Sequence, residues 1–430
     1  MRTLGLAVSR AYLLFAFAGA LTVPFMFTRD GAAQTAIPAT RAAIPVSIAS
    51  SGVPTHELAK KIAVKGEDRA NQLQTLCLSP DGNVVALVAR PRYGAVSQAH
   101  ATSEVQVFDP QGNSVRKWKV KFLAQSINAG PDGSILVAGD GRIARFDKEG
   151  QLLAEAEVPH LALLLKDSKK LRESAAEQLK VEIQSFEQTM KVFEGQKAEL
   201  EKKDANQRTA QEKSQIKMFE MTLKQYEQMA DQCRKRTVDQ AVAQLTSRLK
   251  IINGVAATDH DVFVVCGEVK GYGYAIWRMA PDFTQPKAIV TGLGGCCGQM
   301  DIQAQGEEVL VAENTRHRVG RYNRDGKRLG SFGKHGRDGD AECFGGCCNP
   351  MNVRIVSGGT VYTAESEGFV KEFSPKGEFV KLVAHATVTG GCKNVAVAAT
   401  PDGKTVYFCD QPGSQIIILT LKTTAKIGAE

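Results

Sequence analysis

The sequence has few of the residues that mark a disulfide scaffold or a collagen. Its 430 residues include 10 Cys, 15 Pro and 2 Trp, and non-polar residues make up 43%. With 23% charged residues, this composition excludes a wholly disordered chain and a polytopic membrane protein. The net charge of +8 is a mild excess and only weak evidence for a nucleic-acid or membrane partner. The length fits about two to four domains or one large repeat architecture.

Motifs that would identify a known chemistry are also missing. The chain has no Cys-x-x-Cys, no Cys/His finger spacing, no His-Glu-x-x-His, no Gly-x-Ser-x-Gly elbow and no P-loop. Its 7 His are scattered along the sequence. The sequence therefore indicates an architecture but names no reaction.

A non-polar segment near the start predicts export. Residues 11–27 form this segment, two arginines precede it, and small polar residues follow it, which is the order of a secretory signal. An uncleaved membrane anchor is the alternative, because such a segment lies at the lower edge of a membrane span. We expect residues 1–36 to be a signal peptide or N-terminal anchor and residues 37–57 to be a linker. The rest would then lie outside the cytoplasm, as a periplasmic, secreted or membrane-tethered protein.

Most of the remaining sequence repeats at a spacing of about 45–50 residues. Each unit contains short alternating non-polar runs separated by Gly-containing turns, the pattern of β-strands. Six such units begin near Leu76, Ile127, Ile252, Cys296, Cys347 and Cys392. Six units of four strands predict a mainly β protein, a six-bladed β-propeller. We expect a strand at about 58–66 to complete the last blade and close the ring.

The fourth unit resembles a named repeat. Its segment 309–319 has the sequence VLVAENTRHRV and segment 325–333 has DGKRLGSFG, which together resemble an NHL repeat. The resemblance is good in the following unit and diffuse elsewhere. It implies a funnel-shaped propeller around a central channel. It implies no single chemistry, because this architecture serves binding platforms, lyases and esterases alike.

A different pattern interrupts the repeats. Residues 160–250 contain no Pro and one Gly, and their non-polar positions recur every three and four residues. This spacing predicts a heptad-like seam on two helices, and the polar break at 202–207 predicts an antiparallel coiled-coil hairpin. A single long helix that dimerises is the alternative; the hairpin is favoured because both ends must return to one propeller. The propeller would then comprise residues 58–159 and 251–424.

The cysteines are the sharpest chemical signal. In a propeller blade, the loop into the innermost strand and the turn after the second strand lie on one face. Cys77 is instead expected within an inner strand and Cys233 in the helical seam, both as buried structural residues. The other eight cysteines define what we call the cysteine face: Cys266, Cys296, Cys297, Cys343, Cys347, Cys348, Cys392 and Cys409.

Three chemistries fit the cysteine face. Disulfides would tie neighbouring blades together in an oxidising compartment. Thiolates would instead hold a metal ion or an iron–sulfur cluster. Adjacent cysteines would form a readily reduced, redox-active pair. The pattern is specific as a cluster and does not choose among the three.

Three carboxylates occupy equivalent positions on the same face. Glu313, Glu365 and Asp410 each stand near the end of a predicted second strand. Around a channel they would bind a cation such as calcium. Turn capping or pairing with arginine is the alternative. An NHL-type lyase or hydrolase would use such a metal, but the histidine ligands expected of that lyase have no counterpart in this sequence.

These features lead to one main hypothesis. The protein is expected to be an exported, non-enzymatic interaction platform that binds protein partners through the propeller face or the hairpin. A nucleic-acid partner is not expected, because the basic residues of the fourth unit lack an accompanying aromatic stacking pattern. The alternatives are a redox or metal protein that uses the cysteine face, and a lyase or hydrolase with a channel metal.

Overall fold

The computed structural model describes residues 52–91, 102–296, 299–336, 341–346, 348–388 and 395–423. In this part of the chain, strands form six four-stranded antiparallel sheets. Each sheet is one blade; in five of them the strands are neighbours in sequence order, and in the sixth the first described strand pairs with the last. The predicted six-bladed propeller with a helical insertion is confirmed.

The first three blades follow one another along the chain, with the innermost strand first. Blade 1 contains β2 (Gln72–Leu78), β3 (Val84–Ala89), β4 (Ser103–Phe108) and β5 (Ser114–Val120). Blade 2 contains β6 (Ser126–Ala129), β7 (Ile135–Gly139), β8 (Arg142–Phe146) and β9 (Leu152–Glu157). Blade 3 contains β10 (Ile252–Ala257), β11 (Val262–Gly267), β12 (Tyr274–Met279) and β13 (Lys287–Leu293).

The last three blades complete the ring. Blade 4 contains β14 (Ile302–Gln305), β15 (Glu308–Glu313), β16 (Arg318–Asn323) and β17 (Arg328–Phe332). Blade 5 contains β18 (Asn352–Ile355), β19 (Val361–Ala364), β20 (Phe369–Phe373) and β21 (Phe379–His385). Blade 6 contains β22 (Val397–Ala399), β23 (Thr405–Asp410), β24 (Gln415–Leu421) and β1 (His56–Ala63).

The last blade is built from both ends of the described chain. Strand β1 pairs antiparallel with β24, from His56 opposite Leu421 to Ala63 opposite Gln415. The expected closing strand is therefore present, and it begins slightly earlier than the sequence suggested. Ile62 continues the closure into the core, because it packs in the same non-polar cluster as Leu76 of blade 1.

Side-chain acceptors link the innermost strands of neighbouring blades. Gln125, just before β6, accepts a hydrogen bond from the backbone N–H of Ile252 in β10 at 2.8 Å. Asn352 of β18 accepts in the same way from Val397 of β22 at 2.9 Å. An innermost strand has a ladder partner on one side alone, so its other backbone groups need partners of this kind.

Residues 158–250 and 267–272 form a second compact unit. Its helices are α1 (Pro159–Leu165), α2 (Ser168–Glu201), α3 (Ala210–Arg234) and α4 (Val238–Leu249). None of the helices in the described residues is both long enough and non-polar enough to cross a bilayer.

Local capping explains where these helices begin. Asp167 caps α2 by accepting a hydrogen bond from the backbone N–H of Lys170. Capping boxes start the next two helices, from Thr209 with Glu212 and from Thr237 with Gln240. The second arm of the hairpin consequently consists of two helices, α3 and α4, whereas the sequence predicted one helix in each arm.

The hairpin has its own aromatic core. Phe193 of α2 lies between Phe219 and Tyr226 of α3, with ring centroids 5.8 Å and 5.9 Å apart. Phe186 also contacts Tyr226 at 5.9 Å. Earlier residues of α2 contact later residues of the second arm, as Phe186 does with Tyr226, so the two arms are antiparallel. Cys233 is 3% exposed, as predicted for a seam residue.

Removing β1 tests the closure of the ring. Deletion of residues 1–64 leaves β24 as an exposed edge strand and removes the buried side chains of Ile62 and Val64. We expect a loss of at least about 4 kcal/mol in the free energy of unfolding, because each large core side chain contributes about 2–5 kcal/mol. Urea unfolding and size-exclusion chromatography measure the loss and the expected aggregation. Deletion of residues 1–51 is the matched control, and equal stability of the two truncations would contradict the closure.

Candidate functional site

The structure places five of the eight cysteines of the cysteine face, and all five are buried. Cys296 lies in the loop before β14, and Cys343 and Cys348 lie in the loop before β18. Cys266 lies in β11 and Cys409 in β23, which are the second strands of their blades. The other three predicted members lie outside the described residues: Cys297, Cys347 and Cys392.

Two of the cysteine-bearing loops converge on the same core. Cys296 and Cys348 belong to a single non-polar cluster, which also contains Met351, Val383 and Val397. They are 6% and 1% exposed. Loops that enter the innermost strands of blades 4 and 5 are thus packed against side chains of blades 5 and 6.

Cys409 occupies a different environment. It packs with Leu76 of blade 1 and Ile416 of its own blade. Burial, followed by the negative charge of Asp410, raises the pKa of the Cys409 thiol well above its usual range. Burial also raises the pKa of Cys77, to about 12. These two sulfur atoms are therefore protonated at neutral pH and are poor nucleophiles.

Buried asparagines hold the cysteine loops in place. The Asn314 side chain accepts from the backbone N–H of Cys296 at 2.8 Å and donates to the carbonyl of Gln299 at 3.2 Å. Asn349 accepts from the N–H of Ser366 at 2.9 Å and donates to the Gly345 carbonyl at 2.9 Å. Each loop is fixed to the turn that follows the second strand of its blade. The sequence analysis did not single out these asparagines.

Glu313 is enclosed by cations of its own blade. Its carboxylate is 0% exposed and accepts hydrogen bonds from Arg316 at 2.7 Å and Arg318 at 2.9 Å. The Tyr322 hydroxyl donates a further hydrogen bond at 3.2 Å. Burial and the charge of Glu313 raise the pKa of Tyr322. Arginine pairing, one of the two alternatives for this residue, is the arrangement observed.

Glu365 is paired with a lysine. Its carboxylate lies 2.5 Å from the Lys371 ammonium, and both side chains are almost completely buried. The backbone N–H of Gly345 donates a hydrogen bond at 3.0 Å. Burial raises the pKa of Glu365, and the nearby Lys371 opposes that rise. Lys371 also donates to the Cys343 carbonyl, so this ion pair supports the cysteine loop of blade 5.

Asp410 is the third predicted carboxylate. It is 3% exposed, and Gln415 donates a hydrogen bond to its Oδ2 atom at 2.7 Å. In the residues that the structure describes, no three His, Cys, Asp or Glu side chains are grouped so that they could hold a metal ion. Each carboxylate of the set is engaged within its own blade.

A charge pair in the innermost strands was missed by the sequence analysis. Arg354 of β18 is 6% exposed and donates to Asp301, just before β14, at 2.6 Å. Its second nitrogen reaches the carbonyl of Leu76 in β2 at 3.4 Å, so Arg354 connects blades 4, 5 and 1. Asp301 also accepts from Asn352 at 2.6 Å and from the N–H of Val353 at 3.0 Å. Burial raises the pKa of Asp301, against the opposing effect of Arg354.

One signal could have drawn attention to this pair. Asp301 and Asn352 occupy the same place in the aligned repeats, one residue after Met300 and Met351. Polar residues at a position that enters an innermost strand indicate side chains facing the channel. A second polar contact crosses the ring in a similar way, from Asn128 of blade 2 to Gln303 of blade 4 at 3.1 Å.

Comparisons with known proteins add the following findings. No family model matches the sequence, and no curated protein matches it. A crystal structure of a catalytically inactive virginiamycin B lyase from Staphylococcus aureus with quinupristin is 12% identical, with a TM-score of 0.38. That match covers 84% of this chain and 99% of that chain. The β-propeller domain of Cps50 (Swd1) from Myceliophteria thermophila is 10% identical, with a TM-score of 0.43, and the match covers 85% of this chain and 100% of that chain. Likenesses of this size carry no functional argument.

The Asp301–Arg354 pair can be tested by a double-mutant cycle. R354M leaves Asp301 buried without its cation, and we expect the free energy of unfolding to fall by about 3–5 kcal/mol. The double variant D301N/R354M should recover most of that loss, because it leaves no buried charge. Urea unfolding measures both. R142M, which breaks the exposed Arg142–Glu155 pair, should change stability by less than about 1 kcal/mol. A loss in R354M as small as that of R142M would contradict a structural role for the buried pair.

Proposed function

We propose that the protein is an exported interaction platform, an NHL-like propeller that binds other proteins. The observation that carries this proposal is the pairing of Glu313 and Glu365. Both carboxylates, which a catalytic or metal centre on the cysteine face would use, are neutralised by arginine or lysine of their own blades. With both carboxylates paired, this part of the face is better suited to holding a fixed surface than to acid–base catalysis or to a metal centre that uses Glu313 and Glu365.

The hairpin offers a surface suited to a protein partner. Met218 and Met221 lie three residues apart on α3, so they share one side of the helix, and they are 54% and 66% exposed. Val192 of α2 is 48% exposed. Methionine side chains are flexible and polarizable, which suits them to adaptable protein contacts. We infer that the partner binds the hairpin, which would then be a coiled-coil arm of the platform.

Export and the NHL resemblance support the same proposal. The N-terminal segment 1–36 has the order of a secretory signal, and the alternative of a membrane anchor would equally place the propeller outside the cytoplasm. Segment 309–319, which carries the motif, runs from the second strand of blade 4 through the following turn to the start of the third strand, in a ring of six blades. A platform outside the cytoplasm would meet partners in an oxidising environment.

Disulfides are the chemistry that we propose for the cysteine face. The packing of Cys296 and Cys348 in one non-polar cluster favours a structural role, because burial in non-polar surroundings disfavours thiolates. The second candidate function is a redox or metal protein. The adjacent pairs Cys296-Cys297 and Cys347-Cys348 favour it, because each follows two glycines at the same place in its blade. A lyase or hydrolase with a channel metal such as calcium has less support, since Glu313 already has two arginine partners.

Partner binding through the hairpin can be tested in an exporting host. A photo-crosslinking amino acid at position 221 should capture one protein, which is identified by mass spectrometry and purified. M218E/M221E should weaken its binding to the full-length chain at least about tenfold, since two charges replace the non-polar contact. Replacement of residues 166–248 by a short Gly/Ser linker should abolish binding, while the propeller still unfolds cooperatively.

The conservative variant is the control for this experiment. M218L/M221L keeps the non-polar surface and should bind the purified partner with an affinity close to that of the unmodified chain. If the glutamate variant and the linker variant both bound the partner as tightly as the unmodified chain does, the hairpin would be excluded as the docking surface.

A mass measurement tests export and the cysteine chemistry together. Protein recovered from the exported fraction is alkylated, weighed intact, and analysed for metals and for its visible spectrum. We expect a mass that lacks residues 1–36, most cysteines of the face oxidised, and no stoichiometric thiolate-bound metal such as zinc, copper or iron. Alkylated thiols together with bound metal or a charge-transfer band would instead establish the second candidate. Retention in the cytoplasm would overturn export.

A further inference from the structure

Blades 4, 5 and 6 treat the carboxylate at the end of the second strand differently. In blade 4, Arg318 stands directly opposite Glu313 in the strand register and donates to it at 2.9 Å. In blade 5, the Lys371 ammonium lies 2.5 Å from Glu365. Both blades supply a cation from the third strand to a carboxylate that is almost completely buried. This arrangement satisfies the requirement that a buried charge be paired.

Blade 6 has a neutral residue in the corresponding place. Gln415 stands opposite Asp410 in the register, as Arg318 stands opposite Glu313. Its amide donates to Oδ2 of Asp410 at 2.7 Å, and the other oxygen, Oδ1, is buried with no hydrogen-bond partner. Across the part of the chain that the structure describes, no lysine, arginine or histidine forms an ion pair with Asp410. Asp410 therefore has one buried oxygen without a partner, and no cationic side chain among the described residues pairs with it.

The turn after β23 closes over this carboxylate. A Cβ atom on Gly413 would lie 2.3 Å from Oδ2 of Asp410, so a larger residue would force the turn away. Gln411, the residue that follows Asp410, donates a hydrogen bond to the Gln74 side chain of blade 1 at 2.7 Å. Asp410 is 3% exposed, so an occupant must be compact. One carboxylate also supplies a single negative charge, which matches a monovalent cation better than calcium, whose sites usually combine several carboxylates.

We propose that Asp410 anchors a binding site for a small monovalent cation on the cysteine face of blade 6. The cation would take the place that Arg318 and Lys371 fill in the neighbouring blades, with Oδ1 of Asp410 as its charged ligand. Sodium, potassium and ammonium share the required charge and size. The site does not depend on the proposed interaction function.

Thermal unfolding of the full-length chain at constant ionic strength tests the site. Sodium or potassium chloride replaces tetramethylammonium chloride, whose cation is too bulky to reach a carboxylate covered by the turn. Binding to the folded state should raise the Tm by about 2 °C when the small cation reaches about ten times its dissociation constant. Broadening of the sodium NMR line by the protein measures binding without reference to stability.

Two variants remove the site in opposite ways. D410N removes the charge, and Q415R supplies the guanidinium that blade 4 has in the same register. Both should lose the sodium-dependent rise in Tm and the line broadening, and Q415R should be more stable than the unmodified chain in tetramethylammonium chloride. D402N is the matched control, because Asp402 is an exposed carboxylate of the same blade, and it should keep both responses.

Three outcomes of these experiments would overturn the proposal. An unmodified chain whose Tm and sodium line width do not respond to small cations has no such site. A response that persists in D410N and Q415R belongs to other carboxylates. A response to ammonium together with sodium supports the shared chemistry, whereas a response to calcium alone would contradict it. If one variant fails to fold, the other variant and the line width still decide.

Discussion

Closure of the ring is the constraint on which the rest of this structure depends. Every blade of a propeller packs against two neighbours only when the ring is complete. Here the closing contact is the pairing of β1 with β24. Innermost strands lack a ladder partner on their channel side, so acceptors such as Gln125 and Asn352 satisfy the backbone of the next blade. Arg354 extends this bracing across the ring, from β18 to Asp301 and to Leu76. The loops of the cysteine face are built on strands that are already fixed from both sides.

Charges buried in this ring are balanced locally wherever the chain provides a partner. The strands that follow Glu313 and Glu365 supply their cationic partners, Arg318 and Lys371. The paired carboxylates therefore bond to the surrounding turns and are shielded from solvent. Asn314 and Asn349 then attach the cysteine loops to those turns. Cys296 and Cys348 consequently lie in packed non-polar surroundings. Asp410 departs from the pattern because its strand partner is an amide.

The helical insertion follows separate rules. Its helices start at local caps, and an aromatic seam joins its arms, so it forms a compact unit with its own core. Because this unit has its own core, its exposed methionines are not constrained by the packing of the blades. The proposed platform requires two parts. One is a ring that holds the loops of the cysteine face in place, and the other is a hairpin whose exposed side chains can bind a partner.

The sequence by itself determined the number of blades, the closing strand, the helical hairpin and the burial of Cys77 and Cys233. Those features depend on local periodicity and on turn residues, which a single chain displays directly. The tertiary structure alone decided which charges meet. The Asp301–Arg354 pair joins residues of different blades, and the contrast between Glu313 and Asp410 depends on what stands opposite each in the strand register. Periodicity shows which side chains turn inward, but the partner of a buried charge is set by residues that folding brings together from other strands and blades.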